Sequence, residues 1–188
     1  MQSTLKTPFS HKAENGKLSN AELFFLVSLA SWVMLFGTLI LSFILARIKT
    51  PLWPPPYIES FPLLVPSFST LAIGLSSVFV TKGFSAYKLN KQSDFKFYWL
   101  LAIVTGLLFG TLQTIALTKW MTFDVREHVY SSSVAFLILF HGVHFILGLS
   151  GLLFKFFNPS NIQSLRLWSW FWHFLGVVWL AIFMAIAL

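Results

Sequence analysis

The chain has no cysteine. Disulfides, thiolate-held zinc, iron–sulfur clusters and thiol catalysis are therefore excluded within it. Charge is nearly as scarce: Asp, Glu, Lys and Arg make up 10% of the 188 residues, against about 25% in a typical soluble domain. Only six residues are acidic, and none lies deep in an apolar run; Glu22 stands at the mouth of the first. Pumps and proton-coupled transporters usually need a buried carboxylate relay. Its absence from the apolar runs argues against autonomous pumping and leaves a passive channel open.

Hydrophobic residues fill the space, at 56% of the chain, with 22 Phe and 8 Trp. A soluble fold of this length cannot hide that much apolar surface. The composition excludes an ordinary cytosolic domain, a disordered chain and a nucleic-acid module, and points to a polytopic membrane protein. The net charge of +7 is then an orientation signal, and no nucleic-acid partner is expected.

Five stretches lack Asp, Glu, Lys and Arg entirely: Leu23–Ala46, Pro62–Thr81, Phe97–Thr118, Val129–Phe154 and Leu167–Leu188, of 24, 20, 22, 26 and 22 residues. A helix of ~20 residues crosses a hydrocarbon core ~30 Å thick. No period-2 alternation suggests a barrel, and no internal repeat suggests an inverted-repeat transporter. The sequence therefore predicts an all-α integral membrane protein, a bundle of five transmembrane helices at about 23–46, 62–87, 97–118, 129–156 and 166–188. Residues 1–22 read as a polar cytoplasmic tail and 23–188 as a single transmembrane domain. The polar start places the first apolar run too late for a cleavable signal peptide, so the first helix is expected to be an uncleaved signal anchor. The last run reaches Leu188, so no C-terminal soluble domain is expected. Pro51, Pro54, Pro55, Pro56 and Pro62 make the first connection extended or turned.

Five crossings put the N-tail and the second and fourth loops on one side. Lys6, Lys12, Lys17, Lys82, Lys88, Lys91, Lys96, Lys155 and Arg166 lie there, against Arg47, Lys49, Lys119 and Arg126 on the other, nine to four. The positive-inside rule puts the N-terminus in the cytoplasm and the C-terminus outside, in the periplasm for a bacterial inner membrane.

His141, His144 and His173 are the ionisable residues of the spans. His141 and His144 are three residues apart and share a face of the fourth helix. His144 falls ~22 Å from Val129 and His173 ~9 Å from Leu167 at ~1.5 Å per residue. Those depths allow bis-histidine ligation of a metal or haem. Against it, the fifth helix has no second histidine, and no carboxylate or thiolate completes a site; hydrogen bonding between helices or lipid contact is the plainer reading. Gly106 and Gly110 form a small-xxx-small pair, suited either to docking another subunit or to packing within this bundle. Trp168, Trp170 and Trp172 open the fifth helix, where indoles at headgroup level would anchor it. Lys82 follows Thr81 at a helix end and can snorkel to the surface.

In order along the chain come Ser31-Trp-Val-Met-Leu-Phe-Gly37 leading to Arg47, Trp53-Pro-Pro-Pro56, Ser69-Thr70, and Leu75-Ser-Ser77. Thr105-Gly106 with Gln113, Phe140-His-Gly-Val-His144 with Gly148, and Trp172-His-Phe174 with Val177-Val-Trp179 follow. This ordered set resembles subunit III of the haem-copper respiratory oxidases, in a five-helix form, from about Ala30 to Leu180. The resemblance implies a subunit without haem, copper or catalytic group, packed against catalytic subunit I and holding lipids in a cleft. Four places where the family often carries an acid hold Trp32, Ala116, Arg166 and Gly176 here. No proton-related role is carried over to this chain.

The expectation is a non-catalytic accessory subunit III of a cytochrome-c-oxidase-type terminal oxidase, with no catalytic, cofactor-binding or metal residue of its own. Haem and copper would sit in partner subunits. Its partners would be subunit I, other oxidase subunits and membrane phospholipids. The candidate subunit-packing or lipid-contact residues are Trp53, Gly106, Gly110, Gln113, His141, Gly142, His144, Trp172 and His173. A nitric-oxide-reductase-linked relative, and a small membrane transporter or channel, stand as alternatives.

Overall fold

The computed structural model describes residues 19–52, 63–120, 129–159 and 161–187. The Trp53–Pro56 motif, and with it the candidate Trp53, lies outside them. The described residues form five helices: α1 (Asn20–Lys49), α2 (Leu64–Lys88), α3 (Gln92–Trp120), α4 (Val129–Phe157) and α5 (Ile162–Ala187). Each is long and apolar enough to span a bilayer.

Most of these helices outrun the charge-free stretches, because capping rather than hydropathy ends them. α1 starts at Asn20, inside the expected tail, on a capping box: Ser19 accepts from the Glu22 N–H at 3.3 Å, and Glu22 accepts from the Ser19 N–H at 3.1 Å. It stops at Thr50, before Pro51. α2 tolerates Pro66 because its first turn needs no donor there. Its end is a Schellman motif. The Lys91 N–H reaches the Ala86 carbonyl at 3.0 Å and the Asn90 N–H the Tyr87 carbonyl at 3.1 Å, with Asn90 left-handed at φ 57°. That tight turn lets α3 begin at Gln92, five residues before the charge-free run. Asn161 caps α5 by accepting from the Gln163 N–H at 2.9 Å.

The helices form a ring of four with one outside. α2 packs on α3, α3 on α4, α4 on α5, and α5 back on α2; α1 lies against α4 and α5. The inward side of α1 follows a seven-residue repeat. Glu22, Phe36 and Phe43 are buried, and Phe25, Trp32 and Leu39 are partly buried between them. This is the a/d seam of left-handed helix packing. Most of the other α1 residues are exposed, Phe24 and Met34 included.

Inside the ring the largest fully buried side chains are Trp99, Trp172 and Trp179. Trp172 is therefore a core residue, and the headgroup role expected of it is corrected. Trp168 packs partly buried against the core; of the trio, Trp170 is the exposed one. The Gly106–Gly110 pair also serves this bundle. A Cβ on Gly106 would meet the Trp172 ring at 2.9 Å, and one on Gly110 the Phe145 ring at 2.9 Å. Gly142, in contrast, has nothing within 4 Å. Gly106→Leu is expected to displace Trp172 and cost about 1–3 kcal/mol through overpacking. Gly142→Leu should leave stability close to that of the unaltered chain. Thermal melting of both variants in one detergent measures the contrast.

Candidate functional site

In hydrocarbon a buried polar group must find its partner inside the protein. Three indoles do so by reaching other helices. Trp99 Nε1 donates to the Leu152 carbonyl at 2.9 Å, tying α3 to α4. Trp172 Nε1 donates to Ser76 Oγ at 3.1 Å, and Ser76 in turn donates to the Ala102 carbonyl at 2.6 Å. That relay joins α5, α2 and α3. Trp179 Nε1 donates to Thr70 Oγ1 at 3.0 Å, and Thr70 donates to the Pro66 carbonyl at 2.8 Å.

Gln113 enters the same network from α3. Its Nε2 donates to Ser69 Oγ at 2.6 Å, and Ser69 donates to the Pro66 carbonyl at 2.8 Å. The Ser69 hydrogen is thus engaged, which fixes the orientation of the Gln113 amide. Gln113 Oε1 is left buried without a donor.

The three histidines are not brought to a common centre. His141 is 3% exposed and sits among the rings of Phe36, Phe109 and Trp179 at 6.1, 6.3 and 5.7 Å. Its Nδ1 has no hydrogen-bond partner. His144 turns toward α1, with Trp32 and Phe36 at 5.6 and 5.2 Å. It bonds the Phe140 carbonyl at 2.9 Å; a carbonyl only accepts, so His144 Nδ1 carries the hydrogen. His173 turns instead to α2, where Nε2 meets Thr81 Oγ1 at 3.3 Å. The Thr81 hydroxyl donates to the Ser77 carbonyl at 3.1 Å, which leaves the donor role to His173. Among the described residues no three His, Cys, Asp or Glu side chains come together as a metal site.

One ionic contact escaped the reading of motifs. Glu22 on α1 pairs with Arg166 on α5, and Glu22 is buried. The Arg166 guanidinium also lies 5.4 Å from the Trp170 ring centroid. Ser19-x-x-Glu22 spelled the cap in the sequence, but nothing local announced a partner on the last helix. The inter-helix pairs Trp99–Leu152 and Trp179–Thr70 were equally invisible, being 53 and 109 residues apart.

The chemistry of these sites defines a class first: a multi-pass α-helical membrane protein whose buried polar side chains mostly bond helix to helix. Comparison with known proteins then gives the family. No family model matches the chain. A probable cytochrome c oxidase subunit 3 of Rickettsia felis is 30% identical over 146 residues, 72% of this chain and 52% of the relative. The cytochrome c oxidase subunit 3 of Gallus gallus is 30% identical over 141 residues, 71% and 54% of the two. That of Spodoptera frugiperda is 29% identical over 143 residues, 72% and 97%. The chain belongs to the haem-copper oxidase subunit III family. It spans about half the length of the Rickettsia felis and Gallus gallus relatives.

Two substitutions test the contacts. Ser76→Ala removes the acceptor of Trp172 and a donor to α3. A loss of about 1–2 kcal/mol is expected by thermal melting. Arg166→Gln leaves the buried Glu22 carboxylate unpaired. Because Arg166 is 38% exposed, solvent screening limits the loss to about 1–2 kcal/mol. Adding Glu22→Gln should recover part of it, and a double change no better than the single would refute the pairing.

Proposed function

We propose that this chain is a non-catalytic accessory subunit III of a cytochrome-c-oxidase-type terminal oxidase. The similarity to named subunit 3 proteins over 146 residues carries the reading. The motif residues Ser69, Ser76, Gln113, Trp172 and Trp179 support it, because they bond helix to helix. Their work is to hold a bundle together, which suits assembly, stability and lipid retention beside a catalytic subunit. Haem and copper belong to the partner subunits, and electrons and oxygen are handled there. The partners are subunit I, other oxidase subunits and membrane phospholipids. The setting is a bacterial inner membrane with the N-terminus cytoplasmic and the C-terminus periplasmic; the nine-to-four division of Lys and Arg supports that orientation.

A tagged chain extracted in mild detergent should bring with it a partner that shows a haem spectrum. His144→Ala should leave that spectrum intact, since His144 hydrogen-bonds its own helix. Purification of the tagged chain alone in several mild detergents would sink the oxidase reading, and transport by the reconstituted chain alone would replace it.

A further inference from the structure

Cations collect at one end of the bundle. The Tyr87 hydroxyl donates to the Pro159 carbonyl, which joins the α2–α3 turn to the connection between α4 and α5. Lys88, Lys91, Lys96, Lys155 and Arg166 belong to this end, against Glu22 and Asp94 among the described residues. Glu22 is taken by Arg166. Asp94 is exposed in the first turn of α3, where the helix dipole favours it. Lys88, Lys91 and Lys96 are exposed as well.

Lys155 differs from them. It is 5% exposed, on the inward side of α4 one turn after Leu152. Among the described residues it has neither an ion pair nor a hydrogen bond; its recorded contact is the Phe154 ring, whose centroid lies 5.2 Å from Nζ. The end of α4 favours a cation through its dipole, but no carbonyl there accepts from this one. The buried polar atoms sealed without a partner are Gln113 Oε1, His141 Nδ1 and Arg166 Nε. Lys155 Nζ is not one of them, so the stem is buried while the ammonium stays reachable. A charge so placed is costly until an anion meets it.

Position selects the anion. At ~1.5 Å per residue a helix of 29 residues is ~43 Å long and outruns the ~30 Å hydrocarbon core. Lys155, two residues from the end of α4, therefore stands in the headgroup layer. Phe154 and Phe157 beside it are 58% and 73% exposed, an apolar surface adjoining the charge. We propose that Lys155 binds the phosphate of an anionic phospholipid whose acyl chain lies along Phe154. A free anion makes no use of the rings. A choline or ethanolamine head brings a further cation to an end with five cations and two acids, one of them already paired. The proposal rests on the phospholipid partnership proposed above and not on the oxidase assembly.

The test uses the full chain as purified, with any partners retained, in phosphatidylcholine nanodiscs at about 0.5 M salt. The Debye length is then ~4 Å, so the field of exposed lysines is screened while a direct contact persists. Trace phosphatidylglycerol and trace phosphatidylcholine, each with a diazirine on the same acyl chain, are the probes. The peptide that ends α4 should take up the phosphatidylglycerol probe about tenfold more than the other, as expected of one charge-assisted hydrogen bond. Lys155→Gln should bring the ratio near one, and Lys155→Arg should keep it. Lys96→Gln removes the same charge from the exposed face of this end and should leave the ratio unchanged. Melting of Lys155→Gln in phosphatidylcholine should not fall, since no partner among the described residues is lost. Equal labelling by the two probes on the unaltered chain overturns the proposal while leaving a phospholipid partnership intact. A ratio that survives Lys155→Gln overturns it, and so does one that falls equally with Lys96→Gln. Displacement of the probe by millimolar inorganic phosphate overturns it too, because the site would then take a free anion.

Discussion

The Ser76 hydroxyl accepts a hydrogen bond from α5 and gives one to α3. Three helices of the ring meet at that oxygen. Lipid does not drive apolar helices together, since the tails are as apolar as leucine. Close packing and a few internal hydrogen bonds must do so. The Trp172 ring at this relay lies where a Gly106 Cβ would be, 2.9 Å from Cζ2. The absent side chain lets the indole approach α3, and the approach brings its N–H to Ser76. Packing and hydrogen bonding are thus one arrangement at this point.

The fold was largely legible because the membrane imposes a length. Charge-free runs of 20–26 residues marked the spans. Their ends were less legible, because a helix continues through the headgroup region until something caps it. Gln92–Lys96 is helical although charged, held by the turn at Asn90. Ile162–Arg166 is helical because Asn161 caps it. The candidate residues were legible as types and not as pairs. Gln113 and Ser69 lie 44 residues apart and Trp172 and Ser76 lie 96 apart, distances at which no local pattern speaks. Trp172 shows the cost. An indole has a wet edge and prefers the headgroup level unless the fold supplies an acceptor. Ser76 is that acceptor, and it belongs to another helix.

The histidines follow the same logic. Placed by depth alone, His144 and His173 were compatible with a shared ligand. Rotation about the helix axes decides the matter, and depth carries no rotation. His144 turns to Trp32 and Phe36 on α1, His173 to Thr81 on α2. Each imidazole has a partner for one nitrogen in hydrogen-bond range. Both act as polar joints among aromatic rings.

The four places that lack the acid of the resembling family can be understood by what surrounds them. Trp32 lies against His144, Phe171 and Phe174, with ring centroids 5.6, 5.0 and 6.4 Å away. Ala116 is buried, at 1% exposure. A Cβ on Gly176 would find Ser77 Oγ at 3.5 Å and Ile73 at 3.9 Å. Neither the rings around Trp32 nor the atoms nearest a Gly176 Cβ include a Lys or Arg, and a buried carboxylate without a cation is strongly unfavourable in hydrocarbon. The fourth place is Arg166, and there the charge is reversed rather than lost. Its counter-charge, Glu22, is the only acid among the described buried residues. It lies on α1, the helix packed most lightly against the rest of the bundle. α1 has no part in the indole relays, so its attachment rests on the heptad seam and on this pair at one end. The carboxylate the bundle keeps is the one placed to fasten its outermost helix.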